Sequence, residues 1–179
     1  MYKNFLLFLF GLFILTSCRM KDRAGDFYIT ATSKAEKGDI QGALVDYDKA
    51  IELNPKFAMA YHNRGYYCRL ATGNLQGALE DFTKSIEVID NDNDAYSLSM
   101  RSFVKLQMND VEGALSDVTS SLALDSTNSF AYRNKALVIL ATGDTAQCIT
   151  NLQKAKTLGF SSKFGTEVDE LLNRLSKAK

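Results

Sequence analysis

Four stretches of the chain repeat one another, and this periodicity restricts the fold more than any single motif does. They are Gly38-Asp39-Ile40-Gln41-Gly42-Ala43-Leu44, Gly73-Asn74-Leu75-Gln76-Gly77-Ala78-Leu79, Asn109-Asp110-Val111-Glu112-Gly113-Ala114-Leu115 and Gly143-Asp144-Thr145-Ala146-Gln147-Cys148-Ile149. Their starts lie 35, 36 and 34 residues apart. A repeat of that length is one supersecondary unit, which buries its apolar face only by stacking on its neighbours. Each stretch reads as a tight turn between two helices. The leading Gly, or Asn109 in the third copy, suits a left-handed residue that ends one helix. The following Asp39, Asn74, Asp110 or Asp144 can cap the next helix by accepting from its free N–H groups. The small residue beyond it (Ala43, Ala78, Ala114 or Cys148) allows two helices to approach closely.

The helix after each turn is amphipathic. Ile40, Ala43, Leu44, Tyr47, Ala50 and Ile51 recur at three- and four-residue spacing, as do Leu75, Ala78, Leu79, Phe82 and Ile86, and Val111, Ala114, Leu115, Val118 and Leu122. The carboxylates Asp46, Asp48, Glu80, Asp81 and Asp117 are expected mostly on a solvated outer face. The helix before the turn also repeats, with Ala60-Tyr61-His62-Asn63-Arg64-Gly65 matching Ala131-Tyr132-Arg133-Asn134-Lys135-Ala136.

These features together resemble the tetratricopeptide repeat. The first copy, residues 24–57, carries Ala31, Gly38, Ala43, Tyr47, Ala50 and Pro55 where that family has its small, turn, aromatic and proline positions. The later copies carry Gly65, Gly73, Ala78, Phe82 and Ser85; Ser102, Asn109, Ala114, Val118 and Ser121; and Ala136, Gly143, Cys148, Leu152 and Ala155. Only the first keeps the Pro. The second has one extra residue before Gly73, expected to lengthen its turn. Lys105 stands at a place that is usually aromatic and inward, which predicts loose packing in the third repeat. The resemblance implies an all-α, right-handed solenoid of about four helix–turn–helix repeats over residues 24–162, divided as 24–57, 58–94, 95–128 and 129–162. A capping helix over residues 163–179 follows, with Thr166 at its start and Val168, Leu171, Leu172 and Leu175 as its apolar stripe. It also implies that the first helix of each pair lines a concave groove. Met59, His62, Tyr66, Tyr96, Ser99, Phe103, Phe130, Arg133 and Leu137 are the residues expected to meet a partner there, with Arg69, Leu106 and Leu140 at related positions. The Lys/Asn pattern by which some repeat proteins clamp acidic C-terminal peptides is not matched.

The N-terminus has a different character. Lys3 is the single charged residue of the first seventeen, and Phe5 to Leu15 is an apolar run. A run of eleven is short of the roughly 20 residues that span a hydrocarbon core, but it suits a secretory signal. Leu15-Thr16-Ser17-Cys18 resembles the lipobox of bacterial lipoproteins. That resemblance implies removal of residues 1–17, lipidation of Cys18 by thioether-linked diacylglycerol, and a short lipid-anchored linker over residues 18–23. Several acyl chains give stable anchoring where one does not. Arg19, in place of the Asp that retains some such proteins at the inner membrane, implies the outer membrane, facing the periplasm.

The chemistry available is narrow. Zero formal net charge, with 21 basic and 21 acidic side chains, argues against nucleic acid as partner. The sole histidine, His62, leaves little for acid–base or nucleophilic catalysis. Asp90-Asn91-Asp92-Asn93-Asp94 opens like a calcium loop, but Ala95 and Arg101 stand where the loop needs Gly and a bidentate carboxylate. Cys68 and Cys148 belong to different repeats and are expected to remain separate thiols. The expectation is therefore a non-catalytic scaffold or adaptor without cofactor, metal or small-molecule substrate, anchored to the bacterial envelope and binding a protein or peptide. The alternative is an accessory or regulator of peptidoglycan-associated enzymes.

Overall fold

The computed structural model describes residue 20, residues 22–89 and residues 94–177, so the signal segment, Cys18 and Asp90 to Asn93 lie outside the described residues. All regular structure among the described residues is helical. The helices are α1 (residues 22–36), α2 (Ile40–Leu53), α3 (Ala58–Asn63) running on as a π-helix (Arg64–Leu70), α4 (Leu75–Val88), α5 (Ala95–Gln107), α6 (Val111–Leu124), α7 (Ser129–Ala141), α8 (Thr145–Thr157), α9 (Phe160–Phe164) and α10 (Glu167–Lys177). The chain is thus an all-α helical-repeat solenoid of helix–turn–helix pairs with a further helix after them. None of the described helices is long and apolar enough to cross a membrane. The fold divides into two compact units, residues 1–74 and 75–179.

The turns follow from their sequence. Gly38, Gly73, Asn109 and Gly143 all have φ between 64° and 90°. In each turn the next residue's N–H reaches back five residues: Asp39 to the Lys34 carbonyl (2.9 Å), Asn74 to Arg69 (2.8 Å), Asp110 to Lys105 (2.9 Å) and Asp144 to Ile139 (3.3 Å). This pairing satisfies carbonyls that a helix end leaves open. Asp39, Asp110 and Asp144 then cap α2, α6 and α8, accepting from the N–H of Gly42, Gly113 and Gln147 at 2.9 Å each.

Because all four turns share one hydrogen-bond pattern, the extra residue of the second repeat does not lengthen its turn. It is absorbed upstream, where Arg64–Leu70 is wound as a π-helix. Such a segment closes i→i+5 bonds and accommodates one more residue per turn. Gly65 keeps the small, buried position, and Tyr66 beside it is exposed.

The carboxylates depart furthest from expectation. Asp48 and Glu80 are solvated, but Asp46, Asp81 and Asp117 are buried. Asp46 accepts from Lys34 Nζ at 2.6 Å. Asp117 takes a bidentate pair from Arg101 (Nε and Nη2, 2.8 Å each) and a third contact from Lys105 Nζ, also 2.8 Å. Lys105 therefore does not loosen the third repeat. It replaces an inward ring with a cation that meets a carboxylate on the facing helix, and α5 and α6 pack closely around it.

Hydroxyls at the position of Ala50 tie the later junctions together. Ser85 Oγ lies 2.9 Å from the Asp94 carboxylate that caps α5, and Ser97 Oγ donates to Ser85 Oγ at 3.0 Å. Ser121 Oγ donates to the Ala95 carbonyl at 2.6 Å and receives Asn128 Nδ2, while Asn128 Oδ1 caps α7. Their counterparts Ala50 and Ala155 lie in all-apolar surroundings. The core of the first unit gathers Ala31, Ala35, Ala43, Tyr47, Ala50, Ala60 and Cys68. Burial pushes the Tyr47 phenol up to about 12, despite the hydroxyl of Thr32 3.0 Å away. The core at the end of the second unit gathers Ala136, Cys148, Leu152, Ala155, Phe160 and Val168, with Leu171, Leu172 and Leu175 packed on it. Both cysteines are buried free thiols.

Asp117→Ala leaves two cations facing an apolar site and is expected to lower stability by about 3 kcal/mol. Lys105→Met leaves the bidentate Arg101 pair intact and is expected to cost less than about 1 kcal/mol. Urea unfolding of the two variants checks this ordering, and equal losses would contradict it.

Candidate functional site

The residues expected to face a partner are best taken unit by unit. In the first unit, Met59 is 58% exposed and Tyr66 is 40% exposed, while His62 is half-buried. Counted forward from the start of α3, Tyr66 holds the ninth position. Counted back from the turn, however, Tyr67 is the residue in register with Thr32, Phe103 and Leu137, each six before the turn residue. The π-helix reconciles the two counts by projecting Tyr66 and leaving Tyr67 in the groove register. The two rings stand edge to face, 5.0 Å apart at 82°. Tyr67 packs on the core beside Ala31 and Ala35. Its phenol is held above the ordinary range by burial first, and then by the charge of Glu36 and by Tyr66 and Tyr28. Tyr28 lies against Phe57 at 5.0 Å and accepts from Asn63 Nδ2 at 2.9 Å.

In the second unit an aromatic row crosses three helices. Tyr96, 45% exposed, lies 6.3 Å from Phe130, which lies 5.7 Å from buried Phe160. Phe103, Phe130 and Leu137 are half-buried. Two of the expected contact residues are withdrawn from this face. Ser99 is fully buried, with its hydroxyl donating to the Tyr96 carbonyl (2.8 Å) and its own carbonyl accepting Asn134 Nδ2 (2.7 Å). Arg133 is 8% exposed and serves the interior. Its guanidinium lies between two rings, 5.1 Å from the centre of Phe103 and 5.8 Å from that of Phe130. It donates to Asn134 Oδ1 at 2.9 Å and to the Glu167 carboxylate. A guanidinium is weakly hydrated and stacks on aromatic faces, which makes it the cation best suited to such a place.

Glu167 opens α10, and its partner shows what that helix contributes. Glu167, Leu171 and Arg174 follow Arg133, Leu137 and Leu140 at one constant spacing of 34 residues. α10 packs against α8 and α9 in the manner of the first helix of a fifth repeat. A cleft of about 400 Å³ is lined by Leu137 with Glu167, Glu170, Leu171 and Arg174. The sequence reading treated this helix as a cap alone. The repeat spacing carried far enough would have assigned these residues to the same face.

No group of three or more His, Cys, Asp or Glu able to hold a metal occurs among the described residues.

Comparison with known proteins agrees with the fold. Residues 33–67 match the family model described as TPR repeat. No curated protein sequence matches. Among solved structures, "Functional Characterization of Pseudomonas Aeruginosa pilF" is similar with a TM-score of 0.75 at 17% identity, over 89% of this chain and 70% of that one. The "Crystal structure of MamA protein" follows with 0.67 at 18% identity, over 87% of each chain. The "First TPR of Spaghetti (RPAP3) bound to HSP90 peptide SRMEEVD" gives 0.65 at 17% identity, over 69% of this chain and 96% of that one. Identities this low speak for a shared fold.

Glu167→Gln weakens the pair that ties α10 to α7. Amide hydrogen exchange across residues 167–177 is expected to rise about tenfold, with exchange in α5 and α6 unchanged. Unaltered exchange in α10 would show that Val168, its leucines and the Lys156–Asp169 pair hold it without Glu167.

Proposed function

We propose that this chain is a non-catalytic adaptor that holds a partner protein on the first-helix faces of its repeats and is tethered to a bacterial envelope through lipidated Cys18. The observation that carries the reading is the row of Tyr96 and Phe130 leading toward the cleft at Leu137 and Leu171. Two polar side chains nearby are engaged from within: Ser99 by backbone, and Arg133 by Asn134 and Glu167 through its terminal nitrogens. The row itself is aromatic and aliphatic surface, bordered by the exposed Glu167, Glu170 and Arg174, and aromatic surface of this kind anchors protein interfaces. One structural neighbour is described as bound to a peptide, which supports the same use of the fold here. That peptide is acidic. In this chain Arg133, the buried cation on the corresponding helix face, is already neutralised, so the partner segment proposed is apolar.

The test is crosslinking in cells followed by affinity capture and mass spectrometry. The native protein is compared with Tyr66→Ala, with Tyr96→Ala/Phe130→Ala and with Cys18→Ala. A partner retained by the native protein and lost from Tyr96→Ala/Phe130→Ala is the expected result, together with loss of Cys18→Ala from the membrane fraction. Unchanged partners in both aromatic variants would place binding elsewhere. Capture of cell-wall hydrolases, or binding to sacculi, would turn the reading toward a peptidoglycan-associated accessory.

A further inference from the structure

The π-helix of the first unit does more than take up a residue. It sets two consecutive tyrosines at right angles on one exposed ledge. In an α-helix, neighbouring residues point about 100° apart and do not share a face. Here, within the π-helix, the rings of Tyr66 and Tyr67 stand 5.0 Å apart at 82°, with Tyr66 exposed and Tyr67 set back against the core. Two perpendicular rings offer an aromatic face and an aromatic edge to the same small volume. The electrostatic partner of this corner is Glu36, in the last turn of α1, whose carboxylate is solvated and acts on the Tyr67 phenol. The nearby cation of that helix, Lys34, is taken up by Asp46. Glu36 forms no ion pair among the described residues.

We propose that Tyr66, Tyr67 and Glu36 form a receptor for a cationic side chain, a lysine or arginine on a basic segment of the partner protein. Ring faces attract a cation through their quadrupole, and a neighbouring carboxylate adds a charge of the right sign. An acidic segment finds a repulsive carboxylate and electron-rich rings at the same place. The inference rests on the adaptor reading, since it names what the first unit's face would recognise.

The probe is fluorescein-labelled hexalysine, titrated against the full chain in nonionic detergent at low ionic strength and followed by anisotropy, with labelled hexaglutamate as the opposite-charge control. Saturable hexalysine binding is expected, with no saturable binding of hexaglutamate. Tyr66→Ala, which touches an exposed ring only, is expected to weaken hexalysine about tenfold. Tyr66→Phe is expected to keep the affinity, and Glu36→Gln to weaken it about threefold. Thermal melts of each variant, matching the native protein, separate these losses from unfolding. Equal affinity for the two peptides, or hexalysine binding that survives both Tyr66→Ala and Glu36→Gln, overturns the site. The two readings fail separately. Hexalysine binding that depends on Tyr66, found together with partner capture that no aromatic variant alters, upholds this receptor and overturns the adaptor assignment. Partner capture lost in Tyr96→Ala/Phe130→Ala, with hexalysine binding indifferent to Tyr66, does the reverse.

Discussion

Two of the helix pairs are held by a carboxylate buried where the helices cross and met by a cation a fixed distance back along the chain. Lys34 pairs with Asp46 and Lys105 with Asp117, both twelve residues apart in sequence. In sequence, Arg69 and Asp81 stand at the same spacing in the second repeat. The fourth repeat has neither member. Ile139 and Asn151 stand there, and Ile139 joins the apolar core around Leu152. The pairing is all or nothing for a physical reason. A buried carboxylate without its cation is strongly unfavourable, whereas an apolar replacement of both partners costs little. In α2 and α6 the paired carboxylate lies on the inward face, next to buried Tyr47 and Val118 respectively.

Much of this was readable from the residues. The turn glycines, Asn109 and the aspartate caps sit where local chemistry demands them, because positive φ and free N–H groups are requirements of the turn itself. The inward carboxylates are not legible from charge alone, which points to solvent. Asp46, Asp81 and Asp117 each lie three residues beyond Ala43, Ala78 and Ala114, a spacing that puts both on one helix face. That spacing, with the matched cations twelve residues upstream, was the available signal. The π-helix was legible only as a surplus residue. Sequence spacing cannot say whether a surplus goes into a turn or into a helix, and here the demands of the Gly73 turn forced it upstream. Ser99 and Arg133 were misplaced for another reason. Their positions face the groove in register, but the partners that withdraw them, Asn134 and Glu167, come from other helices.

Neutralising charge inside the fold shapes what is left outside. With Arg133, Arg101 and Lys105 all engaged, the second unit presents rings and leucines from Tyr96 to Leu171, closed at one end by the charged first turn of α10. α10 is thus both the lid on the final core, through Val168, and a contributor to the outward face, through Leu171 and Arg174. The proposed function follows from this division of labour between inward ions and outward apolar surface.

The most direct measurement places a photoreactive phenylalanine analogue at Leu171, and separately at Ser120 in the cleft formed with Ile86, Leu98 and Leu124 on other helix faces. After irradiation in cells, covalent adducts are identified by mass spectrometry. The account predicts a partner adduct from position 171 and none from position 120. An adduct from position 120 alone would contradict it, because the partner would then sit on the second-helix side of the repeats.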